Sequence, residues 1–178
     1  MTPHALRELP RVDVAPGTYH VVEDGRVLST LLGSCVAVCL YDPIRRLIGM
    51  NHFLLARRRQ TADGPLLVSE AGRYGIHAME LLINAMLKQG AERRRLRAKA
   101  FGGGNVLGRE CGKGEDFFCI GALNVRFVRE FLGNEGIPIV AADLGGNIGR
   151  QIHFSPTDFT VFVKKIPSAQ SRALGEQE

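Results

Sequence analysis

The chain has 178 residues, 45% of them hydrophobic and 23% charged, so it is long enough to bury a core and has the composition of a globular protein. Its formal net charge is +5, but aromatic residues make up only 7% and tryptophan is absent, which argues against a nucleic-acid surface that stacks bases. No apolar run reaches the ~18 residues of a membrane span and no signal peptide is recognisable, so we expect a cytoplasmic protein without membrane insertion.

The first third of the chain predicts an irregular arm followed by strands. Residues 1–16 contain three prolines and predict a loose N-terminal arm. From Tyr19 onward, short apolar and β-branched runs alternate with Asp-Gly, Gly-Ser and Asp-Pro turns, which is typical of strands. The predicted strands cover residues 19–22, 27–31, 36–41 and 47–55. Their close spacing predicts a β-meander.

The rest of the chain mixes helices and strands without strict alternation. Apolar residues at helical spacing predict one helix over residues 73–89 and a second over 122–133. The other predicted segments are a polar loop at 56–72, a charged loop at 108–117, strands at 96–101, 137–142, 150–154 and 159–166, and a polar tail at 167–178. Many strands with two helices predict an α+β fold, in a single domain over residues 1–178.

Cys35 is the strongest candidate for a reactive side chain. It stands in the tight turn Gly33-Ser34-Cys35, and His52 lies in the next apolar segment. A free cysteine is commonly a small buried hydrophobe, and this interpretation competes with a catalytic one. A thiol acts as a nucleophile when a base is close and a third group orients the base. His52 can supply the base, and either Ser29 or Thr30 can orient it.

The other cysteines and the glycine-rich segments indicate no cofactor. Cys35 and Cys39 lie ~13 Å apart on an extended chain, too far for a disulfide. Cys111 and Cys119 do not complete a zinc-type ligand set, so no metal is expected. Residues 102–105 and 145–147 match neither a phosphate-binding loop nor a dinucleotide fingerprint, and we interpret both as tight turns that can border a cleft. The histidines with surface or structural interpretations are His4, His20, His77 and His153.

Several longer motifs occur in a fixed order along the chain. They include Leu-Leu-Gly-Ser-Cys-Val-Ala-Val-Cys-Leu-Tyr-Asp-Pro at 31–43, Met-Asn-His-Phe-Leu-Leu at 50–55 and Ala-Lys-Ala-Phe-Gly-Gly-Gly-Asn at 98–105. Further matches lie at 73–75, 79–83, 120–121, 124–125, 143–146 and 149–150. Together these motifs resemble the CheD family of chemoreceptor glutamine deamidases, over roughly residues 17–165.

The resemblance implies a cysteine–histidine–threonine hydrolase that converts receptor glutamines to glutamates. Cys35 matches the nucleophile of the family and His52 matches the base. The family threonine lies six residues before the cysteine, where this chain has Ser29, and Thr30 is one residue closer. Both remain candidates for the third role. The implied fold is a mixed β-sandwich flanked by helices, resembling toxin-type cysteine deamidases.

The resemblance also implies partners. The expected substrate is the set of cytoplasmic helices of chemoreceptors, and no metal or organic cofactor is needed. Separately, the basic runs at residues 57–59 and 93–95 are typical of solvated faces, and they can also favour an acidic protein partner or nucleic acid through long-range attraction. The leading alternative is a regulatory protein that binds a CheC-type phosphatase. A further alternative is another cysteine amidase or a transglutaminase.

Overall fold

The computed structural model describes residues 6, 8–55, 66–106 and 120–167. In these segments nine strands form two sheets, and two α-helices accompany them. The strands are β1 (Arg11–Asp13), β2 (Tyr19–Val22), β3 (Val27–Leu32), β4 (Val36–Asp42), β5 (Leu47–Phe53), β6 (Arg97–Gly102), β7 (Ile139–Leu144), β8 (Gly149–Phe154) and β9 (Val161–Ile166). The helices are α1 (Glu70–Lys88) and α2 (Ile120–Asn134), and short 3-10 turns occupy Leu66–Val68 and Arg93–Arg95.

Both sheets are mixed. The four-stranded sheet has the order β1-β3-β8-β9, and the five-stranded sheet has the order β2-β5-β4-β6-β7. The pairs β1–β3 and β6–β7 are parallel, whereas the other pairs are antiparallel. The predicted α+β class, with mixed sheets and two helices, is confirmed.

Alternation along the strands divides the apolar side chains between two cores. In β5, Ile48 and Met50 face the space between the two sheets, whereas Leu47 and Phe53 face the helices. The inner core, between the sheets, contains Val14, Val22, Leu28, Leu32, Ala37, Cys39, Ile48, Met50, Phe101, Ile152 and Phe154. The outer core joins the five-stranded sheet to α1 and α2. The molecule therefore has three layers, with the five-stranded sheet in the middle.

The two helices cover the outer face of the five-stranded sheet. In α1 the apolar residues at helical spacing are Met79, Leu82, Ile83 and Met86. All four are buried, and each contributes roughly 1.5–3 kcal/mol to folding. The hydroxyl of Ser69 caps the helix by accepting a hydrogen bond from the N–H of Gly72, at 3.0 Å. Among the described residues, no helix is both long and apolar enough to cross a membrane.

The strand pairing differs from the predicted meander. β3 does not pair with β2 or β4, because it belongs to the other sheet and pairs with β1 and β8. β2 pairs with β5 instead. A meander requires each strand to pair with the next, so this prediction is wrong.

Part of the predicted loose arm is ordered. Residues 11–13 form β1, whose N–H and carbonyl groups pair with β3, and Val14 is buried in the inner core. For these residues the prediction of an irregular arm over 1–16 is therefore corrected. A three-residue strand next to prolines is too short to show the alternation by which strands are recognised. The predictions for residues 56–65, 107–119 and 168–178, and for His4, lie outside the described residues.

Candidate active site

The Cys35 turn carries the chain from one sheet to the other. The carbonyl of Cys35 accepts a hydrogen bond from the N–H of Gly103 at 2.7 Å, and the carbonyl of Gly33 accepts one from Gly104 at 2.8 Å. Gly102 has a φ of +106°, and a Cβ atom there would overlap the carbonyl oxygen of Cys35. The glycine-rich turn after β6 therefore holds the cysteine turn by direct backbone contact.

His52 lies on the inner face of β5, two residues beyond Met50, and is only 2% exposed. It is directly opposite Ala37 on β4. Cys35 precedes Ala37 by two residues, so the two side chains lie on the same face of the sheet, and Cys35 packs against the inner core. Cys35 and His52 are therefore diagonal neighbours, a relationship that places Cα atoms ~7–8 Å apart and their Cβ atoms somewhat closer.

Thr30 of β3 contacts the imidazole from the opposite sheet. Its Oγ1 atom lies 2.8 Å from Nδ1 of His52 and donates a hydrogen bond to the carbonyl of Val14 at 2.7 Å. Because a hydroxyl has one proton, Thr30 must accept its second hydrogen bond from a protonated Nδ1. The Val14 oxygen, 3.5 Å from Nδ1, also favours a proton there. Nε2, which has no hydrogen-bond partner among the described residues, then carries a lone pair able to take a proton.

Ser29 lies on the other face of β3. It is directly opposite His153 on β8, whereas Thr30 is opposite Ile152 of the inner core. Its Oγ atom is buried without a hydrogen-bond partner in the described parts of the chain, and its backbone carbonyl accepts a bond from Val14 N–H at 2.7 Å. Of the two candidates for the orienting hydroxyl, the structure brings Thr30 to His52 and turns Ser29 away.

Burial favours the uncharged forms of the Cys35 thiol and the His52 imidazole. It lowers the pKa of His52 below the ordinary value of 6.5, an effect that the hydrogen bond to the Val14 carbonyl partly opposes. Burial also raises the pKa of the Cys35 thiol above its ordinary 9.0, opposed in part by the backbone N–H of the same residue. Near neutral pH the pair therefore rests as a thiol and a neutral imidazole, one able to give a proton and the other able to accept it.

Asn124 of α2 is a buried polar residue beside the Cys35 turn, and the sequence motifs did not indicate a role for it in the site. It is 0% exposed. Its Nδ2 atom donates to the carbonyl of Ser34 at 2.9 Å, and its Oδ1 atom accepts from the N–H of Leu55 at 2.9 Å. The sequence does contain a sign of this residue, because Asn124 is a polar residue in line with a helical stripe of apolar side chains. The other members of this stripe are Phe127, Val128, Phe131 and Leu132.

The two glycine-rich turns lie against each other. Gly145 N–H donates to the Gly102 carbonyl at 2.8 Å, and Asn105 N–H donates to the Gly146 carbonyl at 2.7 Å. They border a cleft of about 590 Å³ that α2 completes. Its lining residues are Gly103, Asn105, Ala122, Val125, Arg126, Arg129, Glu130, Gly145, Gly146 and Asn147. The cleft thus adjoins the Cys35 turn through Gly103, although neither the thiol nor the imidazole lines it.

Arg150 of β8 holds the glycine-rich turn at residues 145–147 through hydrogen bonds. Its buried guanidinium donates to Asp143 at 2.7 Å and to the Gly145 carbonyl at 2.8 Å through Nη2, and to the Ile148 carbonyl at 3.1 Å through Nη1. The guanidinium lowers the pKa of the Asp143 carboxyl, which favours its ionised form. These bonds give the border of the cleft a defined shape.

The remaining candidates lie away from this group. Cys39 is a free cysteine buried in the inner core, and burial raises the pKa of its thiol. His20 and His77 are exposed, and His153 is partly buried on β8. Cys111 and Cys119 lie outside the described residues.

Comparisons with known proteins agree with one another. A family described as CheD chemotactic sensory transduction matches residues 54–165, beginning two residues after His52. A Geobacter sulfurreducens protein named "Probable chemoreceptor glutamine deamidase CheD 1" is 53% identical over 167 residues, covering 94% of this chain and 83% of that protein. A Shewanella oneidensis protein named "Probable chemoreceptor glutamine deamidase CheD 2" is 53% identical over 158 residues, covering 89% and 78%.

More distant matches extend the comparison. A "Probable chemoreceptor glutamine deamidase CheD" of Xanthomonas campestris pv. campestris (strain B100) is 47% identical over 163 residues, covering 92% of this chain and 77% of that protein. Among solved structures, a Neisseria meningitidis protein of the DUF152 family has a TM-score of 0.44 at 13% identity, covering 82% of this chain and 70% of that one, a likeness too distant to bear on the site. On its matches to the family and to these curated relatives, the chain belongs to the CheD family.

Proposed function

We propose that this protein hydrolyses the side-chain amides of selected glutamines on the cytoplasmic helices of chemoreceptors, giving glutamate and ammonia during chemotactic adaptation. The names of its relatives support the substrate class. The observation that carries the chemistry is the contact of Thr30 Oγ1 with His52 Nδ1 at 2.8 Å, because it leaves Nε2 as a base on the face of the sheet that Cys35 shares.

In the first half of the reaction Nε2 of His52 takes the thiol proton of Cys35. The thiolate then attacks the amide carbon of the glutamine and forms a tetrahedral intermediate with a negatively charged oxygen. The imidazolium returns the proton to the amide nitrogen, the C–N bond breaks and ammonia leaves. A thioester between Cys35 and the substrate side chain remains.

In the second half a water molecule enters where ammonia left. Nε2 removes a proton from this water as it attacks the thioester carbon. The C–S bond breaks, the proton passes to the sulfur, and the enzyme returns to its thiol and neutral imidazole. The released side chain is a glutamate. Throughout both halves the Thr30 hydroxyl holds the Nδ1 proton and so keeps the ring in one tautomer.

The oxyanion needs donors that are in place before the reaction. The backbone N–H groups of Ser34 and Cys35 lie in the turn that the Gly103 and Gly104 bonds hold, and we assign the oxyanion to them. Cys35 is partly exposed whereas His52 is buried, so the glutamine enters from the cysteine side.

The test is incubation of a purified receptor cytoplasmic domain with the wild-type protein or with Cys35→Ala, followed by mapping of glutamines by mass spectrometry. Conversion of glutamine to glutamate with the wild type alone supports the proposal. Unchanged glutamines together with tight binding of a CheC-type phosphatase would favour the regulatory alternative. Glutamines coupled to an added primary amine, without glutamate, would instead identify a transglutaminase.

A further inference from the structure

The strongest additional feature is the buried amide of Asn124, which joins the two segments that carry Cys35 and His52. Ser34 precedes Cys35 directly, and Leu55 follows His52 by three residues. The bonded groups, Ser34 O and Leu55 N–H, lie just outside β4 and β5, beyond the ladder that pairs those strands. The side chain of Asn124 therefore continues the connection between the two strands where their ladder ends.

An amide meets the requirements of this position, whereas an ionised carboxylate does not. Leu55 N–H can only donate a hydrogen bond and the Ser34 carbonyl can only accept one, so the orientation of the Asn124 amide is determined by its partners. An aspartate of the same shape would place a carboxylate oxygen against the carbonyl oxygen of Ser34. A hydroxyl would be too short to reach both groups.

The packing of α2 allows this reach. A Cβ atom at Gly121 would overlap the carbonyl oxygen of Gly103, so the first turn of the helix lies directly on the glycine turn that binds Cys35. Asn124 follows one turn later, facing the sheet. The helix, the glycine turn and the cysteine turn thus form one connected unit.

We infer that Asn124 is a positioning residue, which sets the separation and relative orientation of the Cys35 thiol and the His52 imidazole through Ser34 and Leu55. The expected loss of activity rests on the proposed function. The expected change in the reactivity of the Cys35 thiol does not, because it can be measured without a substrate. A misplacement of about 1 Å between reacting groups can lower a rate on the order of 10²-fold.

The test compares Asn124→Asp with the matched control Asn51→Asp. Asn51 is also buried and also joins a strand to a helix, accepting from Val38 N–H at 3.1 Å and donating to the Ala78 carbonyl at 3.3 Å. It lies on the opposite face of β5 from His52. Both variants introduce a buried carboxyl next to a backbone carbonyl, so their folding penalties are comparable.

Two measurements are made on folded protein, below the unfolding transition of each variant. The first is the rate of alkylation of Cys35 by iodoacetamide as a function of pH, in a background that carries Cys39→Ala, Cys111→Ala and Cys119→Ala, so that Cys35 is the one cysteine left in the sequence. The second is kcat and KM for receptor deamidation. For Asn124→Asp we expect an altered pH profile of alkylation, and a kcat about 10- to 10²-fold lower with KM unchanged. The kcat of this variant should partly recover at low pH, because a protonated carboxyl can again donate a hydrogen bond to the Ser34 carbonyl. Asn51→Asp keeps the wild-type alkylation profile.

Wild-type kcat and a wild-type alkylation profile in Asn124→Asp would overturn the inference, as would equal effects in both variants. Should Asn124→Asp not fold, Asn124→Ala, which removes both hydrogen bonds without adding charge, decides by the same measurements. If the wild-type protein deamidates no receptor, the proposed function fails, while the alkylation profile still decides whether Asn124 positions the thiol.

Discussion

The tautomer of His52 depends on a main-chain atom. The carbonyl of Val14 takes the only proton of the Thr30 hydroxyl, which leaves Thr30 able only to accept from Nδ1. Cys35 and His52 could be proposed from the sequence, because a cysteine in a glycine turn and a histidine in a strand are visible in it. The choice between Ser29 and Thr30 could not be made from the sequence, because both residues are buried. They differ in which face of β3 they occupy, and only the face of Thr30 is turned toward the other sheet. The Val14 carbonyl has no sequence signature at all.

Replacement of Thr30 by valine tests the orienting role. The change keeps the shape of the side chain but removes the acceptor for Nδ1–H, and we expect kcat to fall on the order of 10²-fold through loss of ring orientation. It also removes the hydroxyl donor from the Val14 carbonyl, which keeps only the 3.5 Å contact with Nδ1 of His52, at a cost of about 1–3 kcal/mol in the free energy of unfolding. Thr30→Ser retains the hydroxyl and most activity, and Ser29→Ala is close to wild type. Equal losses in Ser29→Ala and Thr30→Val, measured by receptor deamidation, would contradict this assignment.

The pH dependence of activity follows from the buried imidazole. In the proposed mechanism, general-base catalysis requires neutral His52, whose pKa lies below 6.5 because of burial. As pH falls, kcat/KM should therefore persist through 6.5 and decline only as the lowered pKa is approached. The raised pKa of Cys35 keeps the proton donor intact up to 9.0 and beyond. An acidic limb centred above 6.5, in a profile measured with wild-type protein and a neutral peptide substrate, would show that another group controls the reaction.

At the scale of elements, periodicity and turn chemistry predicted most strands and both helices, but not their pairing. The Cys35 turn between β3 and β4 has the length of a hairpin, yet it connects two different sheets. Pairing is decided by the inner core, where alternate residues of β3 and β5 meet, and not by neighbours in sequence. β9 begins at Val161 and not at residue 159, because Phe159 has a φ of +59° and cannot continue a strand.

One substitution made at two sites of α2 tests how closely this helix must approach the glycine turn. Gly121→Ala would place a methyl group against the Gly103 carbonyl, and we expect a loss of about 1–3 kcal/mol in unfolding free energy together with reduced activity. Gly133→Ala meets nothing within 4 Å, and the better helix former should stabilise the protein by roughly 0.5–1 kcal/mol. Denaturant titration measures both effects. If both substitutions changed the unfolding free energy in the same direction, the close contact of Gly121 with Gly103 would be contradicted.

At the scale of the molecule, the candidate site takes its residues from three layers. Thr30 comes from the four-stranded sheet, His52 from the five-stranded sheet and Asn124 from the helical layer. Motif order along the chain was sufficient to recognise the family, because it depends only on sequence. The contact of Thr30 with His52, and the contacts of Asn124 with Ser34 and Leu55, depend on the layering, which is a property of the complete fold. A substitution that separates the layers should therefore affect the site without touching any of its residues.

The positive charge of the molecule, +5 overall, leads to a prediction about receptor binding. Arg129 is exposed and lines the cleft that adjoins the Cys35 turn through Gly103. For an acidic receptor domain, kcat/KM should fall as salt is raised toward ~0.5 M, because screening shortens the range of attraction, while kcat changes little. Arg129→Ala should lower kcat/KM a few-fold and weaken its dependence on salt.

Arg26→Ala is the matched control for this experiment. It removes the same charge directly before β3 begins, ~20 Å from the end of the strand that leads into the Cys35 turn. The cleft therefore contributes to receptor association if Arg129→Ala alone reduces kcat/KM, measured over a salt series with the same receptor domain. If both variants reduce it equally, the attraction comes from net charge and the cleft has no particular part in it.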